Sequence, residues 1–255
     1  MKKAIFYIVL SLTILLGFTY KTDTKPRIIK YKKNDSCLVD STSLNIDRKK
    51  NRPNHIDSLY QLLFTEDIKP NKQGFAQAYK GLMYFQKICT NLVHDTLALI
   101  DFTLSSNKER LWVIDLKQNK ILYHELVAHG KNSGEEFPSK FSNLEESFQS
   151  SLGFYFCGDT YDGLNQLSLK LYGLESKFNG KAFDRGIVIH GANYVSKKFI
   201  LENERLGRSL GCPAVRQDII SPLSNTIKNG CLLYIYSNNK SYQKYSTVLK
   251  QINKK

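Results

Sequence analysis

IVIHGANYVSKKFILENERLGRSLGCPAV, residues 187–215, begins as a short apolar run and closes on a cysteine held between a glycine and a proline. The β-branched residues before His190 and the glycine after it read as a strand end, which sets a polar side chain at the rim of a sheet, facing a cleft. SKKFILENE then reads as a short helix, and RLGRSLGCPAV as the loop that follows it. In that loop Gly211 permits close backbone approach and Pro213 fixes the chain after the thiol. The amides of Gly211 and Cys212 then point into a common space, as stabilisation of an oxyanion requires. A free thiol titrates near pH ~8.5 and needs a neighbouring imidazole to become a ready nucleophile.

Working outward, the flanking sequence is mostly β. TLALIDF is a compact apolar run, and ERLWVIDLKQNKILYHELVAHG is two β-rich segments around the polar turn at 117–120, a hairpin. GFYFCGD, SLKLYGL and RGIVIHG follow, each bounded by Gly, Asp or Asn. DIISPLSNTIK reads as a helix and CLLYIYS as a closing buried strand. Upstream, Phe75, Ala78, Tyr79, Leu82, Met83, Phe85, Cys89 and Leu92 recur at three- and four-residue intervals, the mark of an amphipathic helix. The short connections and many strands predict a mainly β sandwich or barrel with peripheral and N-terminal helices.

Composition sets the compartment. Two lysines precede an apolar and hydroxyl run from Ala4 to Phe18, the layout of a secretory signal, or of an uncleaved membrane anchor if Thr19 and Tyr20 extend it. The chain therefore divides into a signal or anchor at 1–20, a basic polar spacer with a short helix at 21–73, a β-rich domain at 74–239 and a basic polar tail at 240–255. An exported protein of the periplasm or cell envelope is the expectation. The net charge of +14 suits an anionic partner. With no zinc-finger spacing and no long basic run, nucleic acid is not expected. Five cysteines without a CxxC pair leave at least one unpaired within the chain, and Cys89 and Cys157 read as packed residues.

Five histidines compete for the thiol. His55 and His94 lie at helix ends, and His124 is one residue of the hairpin's return arm. His129 and His190 each end a β-rich run and precede a glycine. The His190-Gly191 pair followed by Ser209-Leu210-Gly211-Cys212 resembles the catalytic signature of the L,D-transpeptidase (YkuD-like) family, and is most similar to the branch whose turn reads Gly-Cys-Pro-Ala-Val. DFTLSSNKERLWVIDL, VAHGKNSG and FSNLEESFQSSLGFY resemble that branch's upstream segments, so the likeness covers roughly residues 75–237.

The resemblance implies an L,D-transpeptidase-like fold, a peptidoglycan stem peptide as substrate, and neither cofactor nor metal. Cys212 would form a thioester, with His190 as general base and then acid, oriented by the Gly191 carbonyl. Ser209 and Gly211 would shape the turn, and Arg208, Arg205 and Tyr194 would hold substrate. Passing the thioester to an amine makes a cross-link, and passing it to water makes an L,D-carboxypeptidase; a wall-binding domain without turnover is the non-enzymatic alternative. The family usually has Arg or Asn two residues after the cysteine, where this chain has Ala214, and Arg216 is out of register. A zinc peptidase built from His129, His190 and Cys212 lacks the HxxEH spacing. The roles of His129 and Arg216 and the oligomeric state stay open at this level.

Overall fold

The computed structural model describes residues 53–89, 92 and 94–254; the expected export segment and most of the spacer lie outside the described residues. Helix α1 (Pro53–Leu63) leads into α2 (Lys72–Ile88), whose first turn is closed by Asn71, its side chain accepting from the amides of Gln73 and Gly74. The apolar face anticipated from spacing is the one buried: Phe75, Ala78, Tyr79, Leu82 and Phe85 enter the core. Cys89, expected as a core residue, is buried and also disulfide-bonded.

The strands follow in chain order: β1 (Thr96–Asp101), β2 (Leu111–Asp115), β3 (Lys120–Glu125), β4 (Gly153–Gly163), β5 (Gln166–Gly173), β6 (Val188–Gly191), β7 (Ala214–Val215) and β8 (Leu232–Tyr236). Helices α3 (Lys197–Asn203) and α4 (Ile220–Ile227) separate the last of them. All eight join one sheet in the order β3-β2-β1-β8-β4-β5-β6-β7. Pairing is antiparallel except for β1 with β8 and β6 with β7. The sheet is nearly closed, because Ala128, just past edge strand β3, bridges Ala214 on the opposite edge strand. This is the mainly β fold with peripheral helices that the strand pattern predicts.

The central strands are apolar on both faces, as β8 shows with all five residues buried. Helix α2 covers one of those faces at very short range. A Cβ on Gly81 would collide with the Phe154 ring of β4, and one on Gly74 would stand 2.8 Å from the Tyr236 ring of β8. Phe154 in turn stacks on Tyr234, with ring centroids 4.2 Å apart.

Two readings change. GFYFCGD marks only the start of β4, which runs on to Gly163 and turns through Leu164 and Asn165 into β5. The stretch read as a polar tail is helical instead, as α5 (Lys240–Tyr245) and α6 (Thr247–Ile252), capped by Asn239 and Ser246. Tyr242, Val248 and Leu249 are buried there, and the Tyr242 hydroxyl donates to the buried Glu175 carboxylate at 2.7 Å. Ser246 bonds the same carboxylate, so the chain's last helices are tied to the loop after β5. Among the described residues no helix is long and apolar enough to cross a membrane.

Gly81→Ala tests the helix-to-sheet approach. Helix propensity alone favours alanine by about 1 kcal/mol, whereas overpacking against Phe154 costs roughly 1–3 kcal/mol. Net loss of stability in urea denaturation is the expected result.

Candidate active site

Strand register brings the two ends of residues 187–215 together. In the parallel β6–β7 pair His190 lies opposite Ala214 and Gly191 opposite Val215, so Cys212 sits two residues before the partner of His190. The His190 amide donates to the Pro213 carbonyl at 3.4 Å. The His190 Nδ1–H donates to the Gly191 carbonyl at 2.9 Å, which leaves Nε2 with its lone pair. Burial lowers the His190 pKa from its ordinary value, partly offset by that bond, so the imidazole is neutral at neutral pH.

The turn itself is built by Ser209, whose hydroxyl accepts from the Gly211 amide at 3.0 Å and donates to the Cys212 carbonyl at 2.5 Å. The Gly211 amide is therefore spent inside the turn, contrary to its expected place as an oxyanion donor. The Cys212 amide forms no hydrogen bond among the described residues and is the donor that remains. Gly211 has φ +129°, a conformation suited to glycine, and a Cβ there would press on the Gln149 carbonyl. The half-buried Cys212 thiol lies 3.7 Å from the Gly186 carbonyl. Burial raises its pKa, while the Val188 backbone and the Arg185 guanidinium pull it down. Thiol and imidazole thus rest as a neutral pair, without a hydrogen bond between them.

A second segment holds the turn from behind. Ser209 donates its amide to the His129 carbonyl at 3.0 Å and accepts from the Lys131 amide at 2.8 Å. Ser150 accepts from the Gly130 amide and donates to the Gly211 carbonyl at 3.2 Å. The His129 side chain does not line the cleft. It is 1% exposed, and its Nδ1 accepts from the fully buried Arg110 at 2.8 Å while Nε2–H donates to the Gly134 carbonyl at 3.2 Å. Burial first, then the Arg110 charge, push its pKa to about 3. Burial also lowers Arg110, to about 9, and it remains cationic at neutral pH. Among the described residues no group of three His, Cys, Asp or Glu is arranged to hold a metal ion.

Arg205 and Arg208 come together on one carboxylate of the chain, Glu135, at 2.9 and 2.5 Å. Arg208 also donates to the Gly134 carbonyl at 3.1 Å. Arg216 reaches Asp218 at 3.1 Å and Glu125 at 3.8 Å, away from the turn. Tyr194 packs tightly against Gly207, and burial together with the charge on Cys212 raises its phenol to about 12. A polar cavity of about 520 Å³ opens on the segment behind the turn, lined by Lys131, Asn132, Ser133, Ser139, Lys140 and Gln149, with neither Cys212 nor His190 in its wall. Arg185, Arg110 and Ser150 escape a sequence reading because they act from below the turn; the only hint of Arg185 is a charge just before a buried strand.

Acid stability probes the His129 anchor. The native imidazole stays neutral down to about pH 3 while the unfolded one takes up a proton near 6.5, so the unfolded state binds more protons in that window and stability falls as pH drops through it. His129→Gln removes this component. Its Tm is expected to decline less between pH 6.5 and 4 than that of the parent.

Residues 66–236 match the L,D-transpeptidase catalytic domain family. Solved structures similar to the chain include an L,D-transpeptidase from Mycobacterium smegmatis, at 12% identity and TM-score 0.36, covering 56% of this chain and 59% of that one. Another is the L,D-transpeptidase (Yku) from Stackebrandtia nassauensis, at 13% identity and TM-score 0.34, covering 65% and 67%. A third is Bd1075 from Bdellovibrio bacteriovorus, at 19% identity and TM-score 0.35, covering 62% and 53%. No curated protein matches.

Proposed function

Because the chain belongs to the family of the L,D-transpeptidase catalytic domain, we propose that it is an exported cysteine acyltransferase that acts on peptidoglycan stem peptides. The observation that carries this reading is the β6–β7 register, which seats the free thiol of Cys212 two residues from the strand partner of His190. Cys212 attacks the carbonyl that joins an L-centre to a terminal D-amino acid, and its proton passes to His190 Nε2. The Cys212 amide faces the oxygen on which negative charge develops. Collapse of the tetrahedral intermediate returns the proton from His190 to the departing amine, and the acyl group remains as a thioester on Cys212. An amine from a second stem then attacks the thioester, regenerates the thiol and completes a cross-link.

Several features support the anionic peptide substrate. The net charge of +14 suits an anionic partner. Arg205 and Arg208 already grip a carboxylate, Glu135, and a substrate carboxylate would compete for the same fork. The disulfide at Cys89 suits an oxidising compartment outside the cytoplasm.

Product analysis decides the acceptor. With a stem tetrapeptide and an amine acceptor, linked stems are expected by mass spectrometry; tripeptide alone would mean that water resolves the thioester, and no turnover at all would overturn the enzyme reading. Since His190 is depressed by burial, it keeps its basic form into mildly acidic solution, and the acid limb of kcat/KM is expected below pH ~6.5. His190→Gln is expected to lower kcat roughly 10²–10⁴-fold, the usual range for a lost general acid and base.

A further inference from the structure

The chain at 185–188 wraps around the thiol. Gly186 offers its carbonyl to Sγ at 3.7 Å, and the Val188 backbone faces the same atom. The side chain of Arg185, immediately before them, turns under the catalytic turn: one terminal nitrogen lies 3.5 Å from where a Gly211 Cβ would stand, beside the Gln149 carbonyl at 3.1 Å from the same point. The thiol of Cys212 and the guanidinium of Arg185 also each feel the other's charge.

Its hydrogen bonds tell what this guanidinium does not do. One terminal nitrogen donates to the Ser142 carbonyl at 2.8 Å and to the Ser151 hydroxyl at 2.6 Å. The other donates to the Ser147 hydroxyl at 3.2 Å and to the Gln149 carbonyl at 2.8 Å. Both terminal nitrogens have thus spent both of their hydrogens on the loop at 142–151. No fork is left for a substrate carboxylate, in contrast to the arginines that share Glu135.

We propose that Arg185 is a positioning residue for the acyl transfer, locking the loop at 142–151 against Gly211 and stabilising the thiolate of Cys212 through its fixed charge. The proposal rests on Cys212 as the nucleophile. A planar guanidinium suits both parts, since its fork fixes the loop at two nitrogens and its charge survives burial. The thiolate appears twice in turnover, as Cys212 gives up its proton to attack and again as the amine expels it from the thioester. A cation that is already held in place needs no reorganisation at either moment.

The test reads the thiol directly and needs no cell-wall substrate. The rate of alkylation of Cys212 by iodoacetamide is followed by intact mass from pH 6 to 10, with Cys212→Ser as the blank; among the described residues the other free cysteines, Cys157 and Cys231, are buried. Besides Arg185, Tyr194 feels the charge of this thiol and His190 lies across the β6–β7 register from its turn; both stay unchanged across the series. Arg185→Met is expected to raise the midpoint by about one pH unit and to slow alkylation at pH 7 about tenfold. Arg185→Lys, which keeps the charge and loses the fork, is expected to move the midpoint by less than half as much while losing a similar part of the Tm. An unmoved midpoint in folded Arg185→Met, or an equal shift in both variants, would overturn the electrostatic role. If Arg185→Met does not fold, Arg185→Gln, neutral but still able to donate to Gln149, carries the same comparison. Failure of the peptidoglycan reading shows up separately, as no thioester from a stem tetrapeptide with an unaltered alkylation profile.

Discussion

The strand Ala214–Val215 is two residues long and fully buried, and it is paired on one side with β6 while Ala128 bridges Ala214 on the other. That seam nearly closes the barrel, and the position of the site follows from it. Cys212 cannot slide along His190 without breaking the register of both neighbours, and a one-residue slip would reverse the faces on which the side chains stand. Ala214 replaces the larger polar residue usual in the wider family, and its place in the seam accounts for the small side chain, since it is wholly buried between two backbones.

Around this seam the protein places its charges in two layers. At the front, thiol and imidazole rest neutral because burial disfavours the ionised form of each. In the proposed reaction, proton transfer then belongs to the attack rather than to the resting state. Behind them, two guanidinium groups are held in place. Burial and the Arg110 charge keep His129 neutral, Arg110 bonds the segment that holds Ser209, and Arg185 braces the loop at 142–151 beside Gly211.

Much of this is legible in the sequence, and the physical reasons are specific. Core strands such as Leu232–Tyr236 are continuous apolar runs, and the apolar spacing of α2 survives because that face meets the sheet. The His190 and Cys212 pairing is readable from a strand end, a glycine turn and a family resemblance. The tail helices are not, since each is six residues long with only a few buried positions, too short for a period to stand out among lysines. Nor is the fate of the Gly211 amide, because the choice between pointing it at a substrate and spending it on the Ser209 hydroxyl is made by the fold of the turn. Arg205 and Arg208 look free in sequence and are both held by Glu135, which lies some 70 positions earlier in the chain.

The central claim is that the Ala214 seam presents Cys212 as an acyl acceptor from an L,D-linked stem peptide. It is tested most directly by the intact mass of the full chain after brief incubation with stem tetrapeptide, beside Cys212→Ser. The account predicts a mass increase equal to the tripeptide acyl group on the parent protein, released by hydroxylamine, and none on the variant. A parent protein with no adduct that turns over the tetrapeptide all the same, or an adduct that persists in Cys212→Ser, would contradict it.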